Sequence, residues 1–539
     1  MGMATFDVII EGATLVDGTG APARPADVGV AGSRVRAIGD LSAAVAEDIV
    51  EARGSVVCPG FIDMHTHSDL TPLMDSRCAS KVRQGVTTEL VGHCGFSAFP
   101  LVKGTSQERT GVDRAVFMGA DIQANWSDCA GYLAALEQAR PAFNMATLVG
   151  NGTIRSAVAG YDNRPPTADE LKAMRWQVAQ AMEQGAFGLS SGLTLYPSSV
   201  AQTDELVALC KEAARWGGLY DTHTRHLAGW HFKAVEEAIE IGRRAGIAVQ
   251  VAHLCLIDPR YWGQTGQLFE IMESARAHGV EITFDAYPYT AAGCPFSEAM
   301  PGWVQSGGTE AMLNRLADLA VRGKVLSEAN VSWFSGIPVP WDKVVIAWGG
   351  PYGDPAWLGK TVQELAEGAG ITPEEMMLEV LVQSQDVGLM IVHNRLEEDV
   401  EQFVSHPYGM IGSDGIAVAP DGPWGKSLVH PRFYGTFPRV LAHFVRERKA
   451  IPLEEAIRKM TSLPADRLGL RDRGRLEEGF AADLVIFDPA TVQDRATFEN
   501  PHQYPTSISH VMVNGQWVVR DGEQTEARPG QILRHMGKH

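Results

Sequence analysis

Short apolar runs alternate with amphipathic stretches along most of the chain, and the period of each predicts its element. Phe6-Asp-Val-Ile-Ile-Glu-Gly12 and Ala13-Thr-Leu-Val-Asp-Gly18 are apolar runs that end in Glu-Gly and Asp-Gly turns, and residues 28–39 continue the pattern, so residues 6–57 read as β-structure. From residue 60 the rhythm changes. Eight strand-like runs, at 60–62, 86–91, 145–150, 187–190, 219–223, 248–253, 282–287 and 410–414, are spaced by stretches with helical signals. Thr167-Ala-Asp-Glu170 is a capping box, and Leu171, Met174, Val178 and Met182 behind it follow helical spacing. A second helix is predicted over 203–216, stopped by Gly217-Gly218.

Eight strands with intervening helices, with polar chemistry gathered at their C-terminal ends, describe an α/β fold of the (β/α)8 TIM-barrel type over residues 58–470. The first 57 residues are too few to bury a core of their own. Their partner is expected at the other end of the chain, where Ala482-Asp-Leu-Val-Ile-Phe-Asp488 reads as a strand and Asn514-Gly515 as a hairpin turn. The expectation is one β-sandwich built from both termini, 1–57 and 471–539. The stretch from 288 to about 408 exceeds what a barrel connection needs. It carries strand-like runs at 344–348 and 389–392, and reads as an inserted lid-like subdomain, placed at about 288–345, followed by barrel helices.

Composition narrows the function classes. With 539 residues, 45% hydrophobic and 21% charged, the chain is ordinary for a globular α/β enzyme. Its formal charge of −19, without a Lys/Arg stripe, argues against a nucleic-acid partner. Seven scattered cysteines without a Cys-x-x-Cys pair fit a reducing compartment. The N-terminus lacks a basic-then-apolar leader pattern, and no apolar run is long enough to span a membrane. A cytoplasmic protein acting on a small molecule is expected, with no membrane partner; a homo-oligomer is compatible with this pattern.

The candidate chemistry lies where the strands end. His65 and His67 follow the first strand in Asp63-Met-His-Thr-His67, and alternate residues of an extended segment face one way. Two converging imidazoles suggest half of a metal site, although a bare His-x-His is more often a solvated or core-satisfied pair. Cys94, just past the second strand, is a buried thiol or, beside those histidines, a thiolate ligand. His93 would point the other way if the segment stays extended. His223 and His253 end the fifth and sixth strands, and together they extend the ligand set. Asp414, in Gly412-Ser-Asp-Gly415, is turn chemistry or a carboxylate facing the same mouth, able to take a proton from water.

Pro59-Gly-Phe-Ile-Asp-Met-His-Thr-His67, Gly92-His-Cys-Gly95, Gly188-Leu-Ser-Ser-Gly192, Thr222-His-Thr-Arg225, Asp285-Ala-Tyr-Pro-Tyr289, Gly412-Ser-Asp-Gly415, His430-Pro-Arg432 and Gly435-Thr-Phe-Pro-Arg439 occur in that order. With Gly479-Phe-Ala-Ala-Asp-Leu-Val-Ile-Phe-Asp-Pro489 near the end, the whole chain resembles the D-aminoacylase (N-acyl-D-amino-acid deacylase) branch of the amidohydrolase superfamily. The resemblance implies a zinc-dependent hydrolase of a linear amide, deacylating an N-acyl-D-amino acid or related N-acyl compound. It implies zinc held by Cys94, His223 and His253, with His65 and His67 forming a second, weaker position. It implies Asp414 as base and then acid for a zinc-activated water, Arg432 at the substrate carboxylate, and Tyr287 as an orienting contact.

The sequence also departs from that pattern. The lysine expected two residues after His253 is Cys255, a serine expected after Tyr287-Pro-Tyr289 is replaced around Gly293-Cys294, and Thr224-Arg-His-Leu227 stands where Met-Arg-Asn-Glu is usual. The metal half of the site is intact and the recognition half is altered. That leaves a cyclic amide, ureido or aryl-amide substrate as the alternative for the same barrel and metal. A non-catalytic binding module is the second alternative, opposed by retention of all five ligand candidates and Asp414.

Overall fold

The computed structural model describes residues 5–101 and 124–537. Eight parallel strands surround one axis: β1 (Phe61–Asp63), β2 (Val86–Val91), β3 (Asn144–Thr147, continued by Val149–Gly150), β4 (Gly188–Gly192), β5 (Leu219–His223), β6 (Ala248–Val251), β7 (Ile282–Ala286) and β8 (Gly409–Ile411). Each pairs in parallel with the next from β1 to β3 and from β3 through β8. The ring closes between β8 and β1, where Met64 N approaches the Ile411 carbonyl at 3.5 Å, Asp414 N donates to the His65 carbonyl at 2.8 Å, and Thr66 bridges to Gly415. This is a (β/α)8 barrel. Its strands are buried along their length, as expected when helices cover a parallel sheet.

The helices obey the signals written into their termini. Ala168–Glu183 opens on the Thr167–Glu170 capping box and buries Met174, Val178 and Met182. Thr203–Arg215 follows β4 and buries Leu206, Val207, Leu209, Cys210 and Ala213.

Both chain ends enter one nine-stranded sheet. The strand Val56–Pro59 pairs in parallel with Thr5–Leu15 on one side and antiparallel with Leu484–Phe487 on the other, and Ile508–Val513 and Gln516–Arg520 extend it. Ile10, Leu15, Val28 and Val57 from the first part pack with Leu484, Ile486 and Met512 from the last in one apolar cluster. A buried polar knot ties this sheet to the barrel. Arg473 pairs with Asp483 and donates to Asn514 Oδ1 (3.0 Å) and Gln531 Oε1 (2.9 Å), while Asn144 of β3 donates to Asp483 Oδ2 (3.1 Å) and accepts from Asn514 Nδ2 (2.7 Å).

Between β7 and β8 the chain builds a second, smaller sheet of Ala291–Cys294, Leu389–His393 and Val344–Trp348, all antiparallel, around its own apolar cluster. Its middle strand, Leu389–His393, lies well past residue 345, so the inserted unit runs through that strand to the segment that leads into the helix Glu397–Ser405. The strand's hydrogen-bond partners on both sides require it, which spacing along the chain does not reveal. The helix Glu397–Ser405 then returns to pack on β7. Among the described residues no helix is long and apolar enough to cross a membrane, and all seven cysteines are free.

The polar knot yields a testable expectation. Replacing Arg473 by Met leaves Asp483 buried without its cation, a loss of about 3–5 kcal/mol. Urea denaturation of the variant should show a loss of this size.

Candidate active site

His65, His67, Cys94, His223, His253 and Asp414 meet at the mouth of the barrel formed by the strand C-termini. Cys94 Sγ lies 3.5 Å from His65 Nε2 and 3.4 Å from His253 Nε2, and His223 Nδ1 lies 3.0 Å from His253 Nε2. His67 Nε2 and His65 Nε2 lie 3.1 and 3.7 Å from Asp414 Oδ1. Among the described residues three compact donor groups result: His65 with Cys94 and His253, His65 with His67 and Asp414, and His65 with His93 and Asp221.

These separations suit a metal. Tetrahedral zinc bonds of about 2.0–2.3 Å place adjacent nitrogen and sulfur donors about 3.5 Å apart. Burial first, then neighbouring histidines, pushes His65 and His223 well below the usual range, and burial does the same to His253, so all three imidazoles are neutral and able to ligate. Burial, then Asp414, Asp221 and Asp285, push the Cys94 thiol up, so a thiolate here needs a cation beside it.

Local backbone turns aim these groups. Cys94, His253 and Asp414 have φ of 53°, 34° and 50°, in the left-handed region that non-glycine residues seldom occupy. Gly92 precedes Cys94 at φ +85°, where a Cβ would stand 2.3 Å from the Leu148 carbonyl oxygen. The segment around Cys94 is therefore a tight turn rather than an extended continuation of β2. His93 faces Asp221 (Nδ1 to Oδ1 3.0 Å) and stacks on His65 at 4.0 Å between ring centroids.

Around the donors stand groups that sequence inspection missed. Asp285, at the end of β7, faces His65 Nδ1 at 3.3 Å and accepts from His253 N at 2.8 Å, which leaves His65 Nε2 toward Cys94. Thr194 Oγ1 lies 2.6 Å from His223 Nε2, leaving Nδ1 toward the site. A buried lysine completes the frame: Lys81 Nζ lies 2.8 Å from Asp63 Oδ2, 3.1 Å from Glu89 Oε1 and 2.6 Å from Ser413 Oγ. Such partners are invisible in a motif because their roles depend on which strands become neighbours.

Asp414 Oδ2 is 3.0 Å from Arg432 Nη1. Burial opposes ionisation of Asp414, but Arg432 and then the hydrogen bond with His67 outweigh it and hold the carboxyl well below the usual range. Tyr287, Cys255 and Arg432 line the cavity beside the donors, with Phe334, Ile337 and Val392 of the insertion and Trp424 as apolar wall. Arg395, at the end of the insertion's middle strand, was not singled out by its sequence. Its Nη2 lies 3.5 Å from Cys255 Sγ, and its guanidinium and that of Arg432 each lie 4.7 Å from the Tyr287 ring centroid.

Asp285 offers a direct check on the frame. Asp285→Asn should weaken divalent-metal affinity by about 10–100-fold, the usual effect of losing a group that orients a ligand. Chelator competition on the purified variant measures this.

Comparisons with known proteins agree with the geometry. The amidohydrolase family model matches residues 48–219 and 359–519. A D-aminoacylase of Alcaligenes xylosoxydans xylosoxydans is 35% identical over 98% of this chain and 97% of its own. The N-acyl-D-glutamate deacylase of Bordetella bronchiseptica, solved with zinc and a phosphonate mimic of the tetrahedral intermediate, superposes with a TM-score of 0.81 at 34% identity, covering 98% of this chain and 100% of that one. A D-aminoacylase structure that addresses a binuclear metal centre, with one-metal activation and second-metal attenuation, gives a TM-score of 0.82 at 34% identity, with coverage of 98% and 100%. The chain belongs to the amidohydrolase family, in its D-aminoacylase group.

Proposed function

We propose that this protein is a zinc-dependent deacylase of N-acyl-D-amino acids, hydrolysing a linear amide to a carboxylate and an amine. The observation that carries the reading is the convergence of one thiol and several imidazoles at ligand spacing beside Asp414, in a chain 35% identical to a D-aminoacylase. By the family resemblance Cys94, His223 and His253 would hold the tight ion and His65 and His67 the weaker second position, while the compact donor group of this structure places His65 with Cys94 and His253 and brings His223 in beside His253. When bound, zinc supplies a Lewis acid that polarises the amide carbonyl and activates water.

The chain's own groups supply the rest. Asp414, held ionised by Arg432, accepts the proton of the attacking water and passes it to the departing nitrogen, so one carboxylate serves as base and then acid. Neutral His65, His223 and His253 stay available as ligands because burial disfavours their protonation. Tyr287 and Arg432 line the cavity next to Asp414, a position suited to orienting the substrate and meeting its carboxylate. The apolar side chains of the insertion keep bulk water from the reacting centre, where the remaining charges then act more strongly.

A panel of N-acyl-D-, N-acyl-L- and cyclic amides assayed with zinc tests the reading. The N-acyl-D compounds should be hydrolysed, and failure on all of them would overturn it. Asp414→Asn should lower kcat by about 10²–10⁴ with metal still bound, the range for positioned proton transfer. Cys94→Ala should lose zinc and activity together; full zinc content with full turnover would refute the ligand assignment.

A further inference from the structure

Two guanidiniums line the cavity, and among the described residues only one has a salt-bridge partner. Arg432 is ion-paired with Asp414. Arg395 makes no salt bridge among the described residues, its Nη1 is buried with no hydrogen-bond partner, and its Nη2 reaches only the thiol of Cys255, a weak acceptor. Its backbone N donates to the Thr290 carbonyl (3.1 Å), which fastens the end of the insertion's middle strand to the segment after Tyr287. Arg395 is partly buried with its Nη1 enclosed and unpartnered, and its planar fork of donors matches a carboxylate.

We propose that Arg395 recognises the free carboxylate of the substrate, beside Arg432 at the Tyr287 ring, so that the inserted unit supplies the specificity-determining cation. The inference rests on the deacylase reading and deepens it. Cys255 fits the same account: its short side chain leaves the space that Arg395 Nη2 enters at 3.5 Å. Arg432 then has a divided duty, since its Nη1 already holds Asp414. The apolar wall of Phe334, Ile337, Val392 and Trp424 points to a substrate with one carboxylate and an otherwise apolar body.

The test uses the zinc-loaded full chain and a probe that cannot be deacylated, N-methanesulfonyl-D-leucine, with its methyl ester as the uncharged match. In calorimetric titrations the wild type should bind the acid at least about tenfold more tightly than the ester, the range expected for hydrogen bonds to a charged group. Arg395→Met should bring the two to within about threefold by weakening the acid alone, and Arg395→Lys should retain part of the preference. An unchanged acid preference in Arg395→Met, an equal loss for acid and ester, or no preference in the wild type would each overturn the proposal. Turnover of the N-acyl-D panel by the wild type is scored separately. Its absence on every member would sink the deacylase reading, while the acid-to-ester ratio still decides the role of Arg395.

Discussion

The hydrogen bond from Asp414 N to the His65 carbonyl joins the last barrel strand to the first, and the site exists because that seam closes. β1 and β8 are only three residues each, so the ladder alone is a weak clasp. Lys81 reinforces it from within: fully buried, it touches Asp63 at the end of β1, Glu89 of β2 and Ser413 beside Asp414. Asp63 in turn accepts from Ser413 N at 2.8 Å. Burial works against the charge on Lys81, but Asp63 and Glu89 outweigh it and raise its pKa. A lysine enclosed by two carboxylates is expensive to remove, since its loss leaves both carboxylates without a cation away from water.

On that frame the reacting groups are held in conformations the backbone resists. Cys94, His253 and Asp414 all sit at positive φ, each costing on the order of 1–3 kcal/mol. Neighbouring hydrogen bonds hold them there: His253 N to Asp285, Asp414 N to His65, and Gly95 N to Ser190 Oγ at 3.2 Å. The strand ends and their turns bring a thiol, imidazoles and a carboxylate from five different strands within a few ångströms. Strain at these positions exchanges stability for convergence.

The barrel and the insertion divide the work. The strand ends supply the donors and Asp414, with Asp285, His93 and Thr194 fixing their orientation. The insertion, with its own sheet and apolar core, supplies much of the cavity wall and the second guanidinium. An independently cored unit can change its cavity-facing residues without disturbing the seam, and the altered Gly293-Cys294 lie on its first strand, whereas Cys255 and residues 224–227 follow barrel strands.

Period and punctuation determined the eight strands, the capped helix Ala168–Glu183 and the candidate donors, because these depend on residues close in sequence. His65, His67, Cys94, His223, His253 and Asp414 were legible because each stands where an apolar run ends. Their local geometry was not: Cys94 was expected just past the second strand, and only the structure shows the turn at Gly92 that holds it. The extent of the insertion and the partners Asp285, Thr194 and Lys81 came only with the tertiary structure. Arg395 is the clearest case. In sequence it is an arginine after an ordinary strand, 140 residues from Cys255. Only the antiparallel pairing of Leu389–His393 with Ala291–Cys294 carries it to the Tyr287 ring, because long-range pairing sets a side chain's neighbours and local pattern records only its own element.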